Sequence, residues 1–499
     1  MQQIKRIKAI LESKPFFLLL LPLYVLIRLE NIFYGLVSYR FVGNQVLFMI
    51  LASILMHLIS RRITGEKKKS ALIAFILMLS WLYAGLLKNY LHEHHRGLFP
   101  ESYTYFLPTL LVMILVAIAA VLKSRKHFNR TFLFINSLWF IFILIEGISI
   151  LSKSIQTAIP KEQFYTVTTP RFNIPDTLKP DIYYIIFDSY SSGTILQKMG
   201  FDNHRIEEKL SASGYKMITK GTSNYNLTPF SIGSTLNMQY LEEADTGKKY
   251  YLDNYLPAIN IVKQNTMFPW LQQNGYRIIN HTFFDFPGNH SGIRTHDIWD
   301  MGDTYAQHNL GLKVYKDLAW KIGIRPWITI KKMQHDVDLR DAYDDTVYQR
   351  LLNSHIDNDA SPKFVYAHFF MPHIPTSHDS AGRKIPINNH LTPDEEKKGY
   401  WEEILYVNKR IGNISDALIQ HSKKPLVIII QGDHGYRFYD DTKKQDEFPN
   451  FFAVYFSSKD YRQVPDTLSN VNLFRAVMNT YFNQQIPFET NKHFFLQYK

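Results

Sequence analysis

Apolar residues are distributed unevenly along this chain. Five long runs, near 15–34, 45–60, 70–87, 104–122 and 131–151, are almost continuously hydrophobic. Each approaches the roughly 20 apolar residues that a helix needs to cross a bilayer. The first is the weakest, because Arg28 and Glu30 interrupt it. Residues 152–180 are polar, with Pro160, Pro170, Pro175 and Pro180 and no helical periodicity, the composition of a semi-extended linker. Further on, short strand-like runs alternate with amphipathic stretches. The runs are DIYYIIF (181–187), YRIINHTFF (276–284), KFVYAHFF (363–370), 425–430 and FFAVYF (451–456), and residues 400–421 read as a helix leading into the fourth of them. This alternation predicts an α/β fold with a mainly parallel central sheet, helices on both faces and a ligand site at the strands' C-terminal edge. The expected organisation is a transmembrane helical domain over 1–151, a linker over 152–180 and a soluble domain over 181–499.

Charge turns the hydrophobic runs into a topology. Lys5, Arg6, Lys8 and Lys14 precede the first run; Arg61, Arg62, Lys67, Lys68 and Lys69 separate the second from the third; Lys123, Arg125, Lys126 and Arg130 separate the fourth from the fifth. The loops 35–44 and 88–103 carry far less Lys and Arg. The positive-inside rule then makes the N-terminus cytoplasmic. Five spans place everything after residue 152 outside, giving a multi-pass protein of the cell (inner) membrane with a periplasmic or extracellular C-terminal domain. If the first run lies in the interface instead, four spans leave that domain cytoplasmic. Nothing resembles a cleavable signal peptide, so the first run reads as a retained anchor. The net charge of +12 resides largely in these loops, which makes it a topology signal and argues against nucleic acid as a partner. There is no cysteine, which excludes disulfides and thiolate-bound zinc. The stretch HEHHRG (92–97) resembles a metal cluster, but its place beside a span fits interfacial or lipid-phosphate contact better.

The candidate chemistry lies at the strand ends. The run PLVIIIQGDHGYRF (425–438) stops abruptly in Gly432-Asp433-His434-Gly435, and DIYYIIFDSY stops in Asp188. Two buried strands that each deliver an acidic group at one edge point to a single metal-binding site. Thr228-Pro229 is a good helix start, with Thr as N-cap and Pro at the first helical position. A hydroxyl there lies beside free backbone N–H groups and the positive end of the helix dipole, where an attacking oxygen and a phosphoryl group are stabilised. In FFMPHIP (369–375), His373 is held between Pro372 and Pro375 in a loop, which suits a functional role. His368, inside the strand, reads as structural.

Together these segments resemble the alkaline phosphatase/sulfatase superfamily. With five N-terminal spans the chain looks most like the branch of lipoteichoic acid synthases and phosphoethanolamine transferases. The resemblance implies that Asp188, Thr228, Asp433 and His434 ligate one divalent cation, that Thr228 doubles as nucleophile, and that His373 contacts the transferred phosphate or the leaving group. His281, in IINHTFFDF, looks like a further substrate-side His of this branch, a satisfied surface His being the alternative. Members with a glycerol-phosphate substrate place a Trp and an Arg just after that His, where this chain has Phe283, Phe284 and Phe286. Sulfate-ester hydrolysis is disfavoured: classical sulfatases need a Cys or Ser followed by a Pro and an Arg, this chain has no Cys, and Thr228-Pro229-Phe230-Ser231 lacks the Arg. Aspartate, histidine and an alkoxide suit zinc or manganese; magnesium or calcium would usually take more oxygens. The implied activity is transfer of a phospho-alcohol head group from a phospholipid donor to an envelope glycan or glycolipid acceptor through a phospho-threonine. A phosphodiesterase or phosphatase and a non-catalytic membrane scaffold are the alternatives.

Overall fold

In lipid a backbone must satisfy its own hydrogen bonds, so long apolar runs fold as helices. In the computed structural model they form α2 (Phe17–Ile32), α3 (Tyr39–Thr64), α4 (Lys67–His94), α5 (Tyr103–Lys123) and α6 (Asn129–Ala158), preceded by the polar α1 (Gln2–Ser13). The described residues are 2–32, 39–94, 103–158, 178–241, 249–250, 252–293, 314, 325–356, 361–387, 391–437 and 441–498. The chain divides into two units, Met1–Pro160 with Trp299–Ile328 and Lys161–Ile298 with Thr329–Lys499.

In the first unit, α3 to α6 are long and apolar enough to cross a membrane, and α1 with α2 adds a fifth span only if that pair, bent by 91°, counts as one. The 16 residues of α2 reach about 24 Å at 1.5 Å per residue, short of a hydrocarbon core of about 30 Å. The bend leaves helix-end groups unpaired, and the buried Asn136 satisfies them. Its amide donates to the carbonyl oxygens of Leu11 and Lys14, and its Oδ1 accepts the N–H of Phe17, all at 2.8 Å. Arg28, which interrupts the first run, pairs with Glu146 of α6 at 2.6 Å, and Asn31 donates to the second carboxylate oxygen. Helix α6 continues to Ala158, beyond residue 152 where the linker was expected, and 159–177 lie outside the described residues. Of HEHHRG, 95–97 also lie outside them.

The second unit is built on a six-stranded sheet. Its strands are β1 (Asp181–Phe187), β2 (Lys216–Met217), β4 (Arg277–His281), β5 (Lys363–Phe369), β6 (Leu426–Gly432) and β7 (Phe452–Phe456), in the order β2-β7-β6-β1-β5-β4, while β3 (Lys249–Tyr250) and β8 (Gln497–Tyr498) pair separately. Strands β6, β1, β5 and β4 run parallel; β7 is antiparallel to β6, and β2 to β7. The sheet is therefore mostly parallel with an antiparallel edge. Every residue of β1, β5 and β6 is buried, which is why these segments read as unbroken apolar runs. Register matters most for the site: Phe187 lies opposite Phe369 of β5 and Gly432 of β6. The three strands end level, so Asp188, Phe370 and Asp433 leave the sheet side by side. A face-to-face stack of Phe187 on Phe369, with centroids 4.6 Å apart, packs the layer directly beneath. The helix expected over 400–421 begins earlier, at Pro393, because Thr392 and Glu395 form a capping box there.

Candidate active site

The glycines of Gly-Asp-His-Gly are there for want of space. A Cβ on Gly432 would stand 2.4 Å from the Tyr190 carbonyl oxygen, and one on Gly435 would stand 2.9 Å from that of Pro449. Both neighbours are backbone and cannot swing aside. Gly432→Ala is expected to destabilise this unit by about 1–3 kcal/mol, as overpacking does; an unchanged thermal transition of the purified variant would contradict the close approach.

Between these glycines, Asp433 Oδ1 accepts the N–H of Ser189 at 3.0 Å and of His434 at 2.9 Å. Ser189 holds a left-handed φ of 61°, a strained conformation for a residue with a Cβ. Three bonds fix it: to Asp433, from its hydroxyl to Asp188 Oδ1 at 3.1 Å, and from the Tyr400 hydroxyl to its carbonyl oxygen at 2.7 Å. His434 Nδ1 lies 2.7 Å from the Gly435 carbonyl, so that nitrogen carries the proton and Nε2 presents a lone pair. Nε2 stands 3.6 Å from both Asp188 Oδ1 and Asp433 Oδ2 and accepts from Arg437 at 3.0 Å.

Thr228 opens a ten-residue helix, Thr228–Asn237, that is buried throughout. The cap itself is Leu227, one residue before the position expected, so Thr228 is the first helical residue and Pro229 the second. The helix is pinned to the strand end by Ser231, whose hydroxyl donates to the Asp433 carbonyl oxygen at 2.6 Å, and by Asn470, which donates to the same oxygen at 3.1 Å. This brings the Thr228 hydroxyl to the Asp433 carboxylate, where it helps to hold the charged form. Asp188, Thr228, Asp433 and His434 are thus gathered at one place.

His368 joins them, against its reading as a structural residue. One ligand atom from each of Asp188, His368 and Asp433 lies within 4.8 Å of the others. Tyr366 hydroxyl meets His368 Nδ1 at 3.1 Å, while His368 Nε2 and Asp433 Oδ2 are buried without a hydrogen-bond partner. An orphaned carboxylate oxygen and an orphaned imidazole nitrogen in one buried place, with a second carboxylate and another imidazole beside them, fit a divalent cation.

Electrostatics agree with that fit. Burial, then the facing Asp433, pushes Asp188 well above the usual carboxylate range. Burial works the same way on Asp433, but His434, His368 and the N–H and O–H donors of Ser189 and Thr228 outweigh it and leave that carboxyl below its ordinary value. Burial pushes His434 and His368 down to about 4, so both are neutral, as ligands must be.

His373 is half-buried in its loop, three residues past Phe370, with Nδ1 directed at the Ile374 carbonyl oxygen. Burial, then Arg437, Arg340 and His434, holds it well below the ordinary imidazole value. One stretch of the helix Arg325–Leu352 positions this loop. Asp344 accepts the N–H groups of Phe370 and Met371 at 2.9 and 3.0 Å, Asp341 accepts the Ser377 hydroxyl at 2.8 Å, and Tyr343 donates to the His368 carbonyl oxygen at 2.8 Å. His281 ends β4, the strand beyond β5, and burial pushes it down to about 4. Among the described residues no contact joins His281 to Asp188, Thr228, Asp433 or His434. Arg340, Arg437, Ser231 and Asn470 escaped sequence reasoning; only Arg437, three residues past His434, had a positional signal.

The family model for sulfatases matches residues 180–484. No curated protein matches the chain. Among solved structures, it is similar to the C-terminal periplasmic domain of EptC from Escherichia coli, with 14% identity over 63% of this chain and 86% of that one and a TM-score of 0.38. It is also similar to the C-terminal periplasmic domain of the phosphoethanolamine transferase EptC from Campylobacter jejuni, with 11% identity over 61% and 90% of the two chains and a TM-score of 0.37. The integral membrane lipooligosaccharide phosphoethanolamine transferase A (EptA) from Neisseria meningitidis shares 13% identity over 95% of both chains, with a TM-score of 0.35.

Proposed function

The chain belongs to the sulfatase family, and from that premise we propose that it is a membrane-anchored, metal-dependent phosphotransferase. It moves a phospho-alcohol head group, of phosphoethanolamine or phosphoglycerol type, from a phospholipid to an envelope glycan or glycolipid outside the cytoplasm. One observation carries this reading: the Thr228 hydroxyl, at the start of a buried helix, meets Asp433 beside Asp188, His434 and His368.

Asp188, Thr228, Asp433 and His434, with His368 adjoining, are the residues to hold a divalent cation, zinc or manganese by their donor types. Bound there, such an ion supplies Lewis acidity that lowers the pKa of an alcohol and offsets phosphoryl charge. Pro229 has no N–H and those of Phe230 and Ser231 are bonded to the Leu227 carbonyl oxygen, so what the start of the Thr228 helix offers the phosphoryl oxygens is the positive end of its dipole. As the Thr228 oxygen bonds to phosphorus, Thr228 loses a proton and the departing alkoxide gains one. Neutral His373, with Nδ1–H committed to Ile374 and Nε2 available, is suited to carry that proton. In the second half the acceptor hydroxyl gives up its proton as its oxygen displaces Thr228 from phosphorus. His281 is assigned to the substrate side, beyond β5. The apolar helices favour a lipid donor, since a tethered site meets head groups at high effective concentration.

Purified full-length protein in vesicles of labelled phospholipid distinguishes transfer from hydrolysis. Label on an added glycan acceptor is the expected result. Release of free phospho-alcohol alone would assign a phosphodiesterase instead, and no turnover by folded, metal-loaded protein would leave a scaffold.

A further inference from the structure

One end of the first unit gathers positive charge. There the turn between α3 and α4 meets the turn between α5 and α6: Lys69 donates to the Leu122 carbonyl oxygen at 3.2 Å, and Lys68 bonds to Asn129. Helix α1 ends at the same place, where Asn136 of α6 donates to the carbonyl oxygens of Leu11 and Lys14. Residues 2–16, 60–70 and 122–131, which make up this end, hold thirteen Lys and Arg against Glu12 and Glu66. That excess is almost the whole net charge of +12. Lys8 lies 4.0 Å from Glu12, and among the described residues Lys5, Arg6 and Lys14 have no acidic partner.

Helix α1 lies across the bundle. Phe17 is tied to Asn136 and Arg28 to Glu146, so α2 runs alongside α6, and α1 is bent by 91° from α2. With α6 crossing the bilayer, α1 lies in the plane of its surface. The junction at Asn136 sets α1 about 10 Å inside the first residue of α6, at 1.5 Å per residue, close to the depth at which an interfacial helix rests. Along α1, Ile4, Ile7 and Leu11 recur at helical spacing, with Lys5, Arg6 and Ala9 on the other side and Lys8 at the margin. No residue of α1 is buried, and Ile4 and Ile7 are 71% and 57% exposed. Among the described residues nothing covers this apolar strip.

We propose that α1 is an interfacial anchor that docks on anionic phospholipid in the leaflet at the basic end of the bundle. Ile4 and Ile7 enter the acyl chains, and Lys5, Arg6 and Lys8 meet the phosphates. Two observations select this occupant over a protein groove. The strip lies level with the bilayer surface, and the turns around it carry the same sign of charge, which anionic head groups complement. Each basic side chain near such a surface strengthens the attraction severalfold. A helix resting at that level leaves α2 only the rest of the bilayer to cross, which suits its short reach. The anchor stands apart from the phosphotransferase reading and would hold for any activity of the second unit.

The chain has no cysteine, so Ile7→Cys and Ala9→Cys each give the full-length protein a single position for a nitroxide label. The labelled proteins are reconstituted in vesicles of phosphatidylcholine alone or of equal parts phosphatidylcholine and phosphatidylglycerol. With the anionic lipid, the label at position 7 should meet oxygen dissolved in the acyl chains and be shielded from a water-soluble nickel complex. The label at position 9, on the opposite side of the helix, should show the reverse. In phosphatidylcholine alone the contrast between the two positions should shrink severalfold. Changing Lys5, Arg6 and Lys8 to Gln should lower the ratio of docked to undocked helix about fivefold for each charge removed, with the thermal transition unchanged. A label at position 7 open to the nickel complex in both vesicles overturns the inference, as does shielding indifferent to lipid charge. Position 7 closed to oxygen and nickel complex alike would put a protein on the strip and overturns it too.

Discussion

Thr228→Ala is expected to abolish formation of the covalent phosphoryl-enzyme and to cut turnover by roughly a thousandfold or more, the scale seen when a nucleophile is deleted. The protein should remain folded. Pro229 still occupies the second helical position, Ser231 and Asn470 still tie the helix to the Asp433 carbonyl, and the lost methyl and hydroxyl are a small part of a helix buried along its length. A change in stability within about 1–2 kcal/mol is anticipated for so small a truncation. Thr228→Ser keeps the oxygen and should retain measurable activity. Intact-mass detection of the adduct together with a turnover assay reads both outcomes. Near-normal activity in Thr228→Ala would remove this residue as nucleophile and, with it, the phospho-threonine.

Metal removal is the second large effect. Thorough chelation should silence the enzyme and one divalent cation should restore it; Asp433→Asn should resist restoration and show lowered metal content. Stability should also depend on the ion, with a pH signature. Asp188 is held well above its unfolded value by burial and by Asp433. A carboxyl so shifted contributes stability that is complete below the unfolded pKa, near 3.9, and lost as pH rises through the folded pKa. Asp344, pushed up to about 8 by burial, acts in the same sense. His434 and His368, pushed down to about 4 by burial, act oppositely. Their contribution is present above the unfolded value of about 6.5 and lost as pH falls toward 4. Metal-free protein should therefore weaken on the alkaline side as Asp188 ionises beside Asp433, and an added cation should raise the thermal transition most there. A metal effect on stability that is flat from pH 5 to about 8 would contradict this placement of the two carboxylates.

How much of this was legible in the residue pattern depended on whether the signal was local. Asp188 and Asp433 announce themselves because each ends a continuous apolar run, and such runs are buried strands. Thr228-Pro229 marks a helix start within one residue. His368 could not be separated from an ordinary core histidine, because its significance lies in β5 ending level with β1, a register no single segment records. Arg340 sits in a long polar helix where periodicity says surface, and only the fold shows that its turn faces the His373 loop. The antiparallel β7 reads like its parallel neighbours, since burial fixes composition while strand direction follows from connection. The weakness of the first membrane run, visible in Arg28 and Glu30, corresponds to a short helix whose arginine is matched by Glu146 more than a hundred positions away.

The even alignment of β1, β5 and β6 at their last residues has a consequence for how such proteins can diverge. Because successive side chains point to opposite faces, deleting one residue inside β6 would leave Gly432-Asp433-His434-Gly435 spelled correctly. It would nevertheless withdraw Asp433 by about 3.3 Å and exchange the two buried faces of β6. These three strands can therefore exchange one apolar side chain for another far more readily than they can change in reading length.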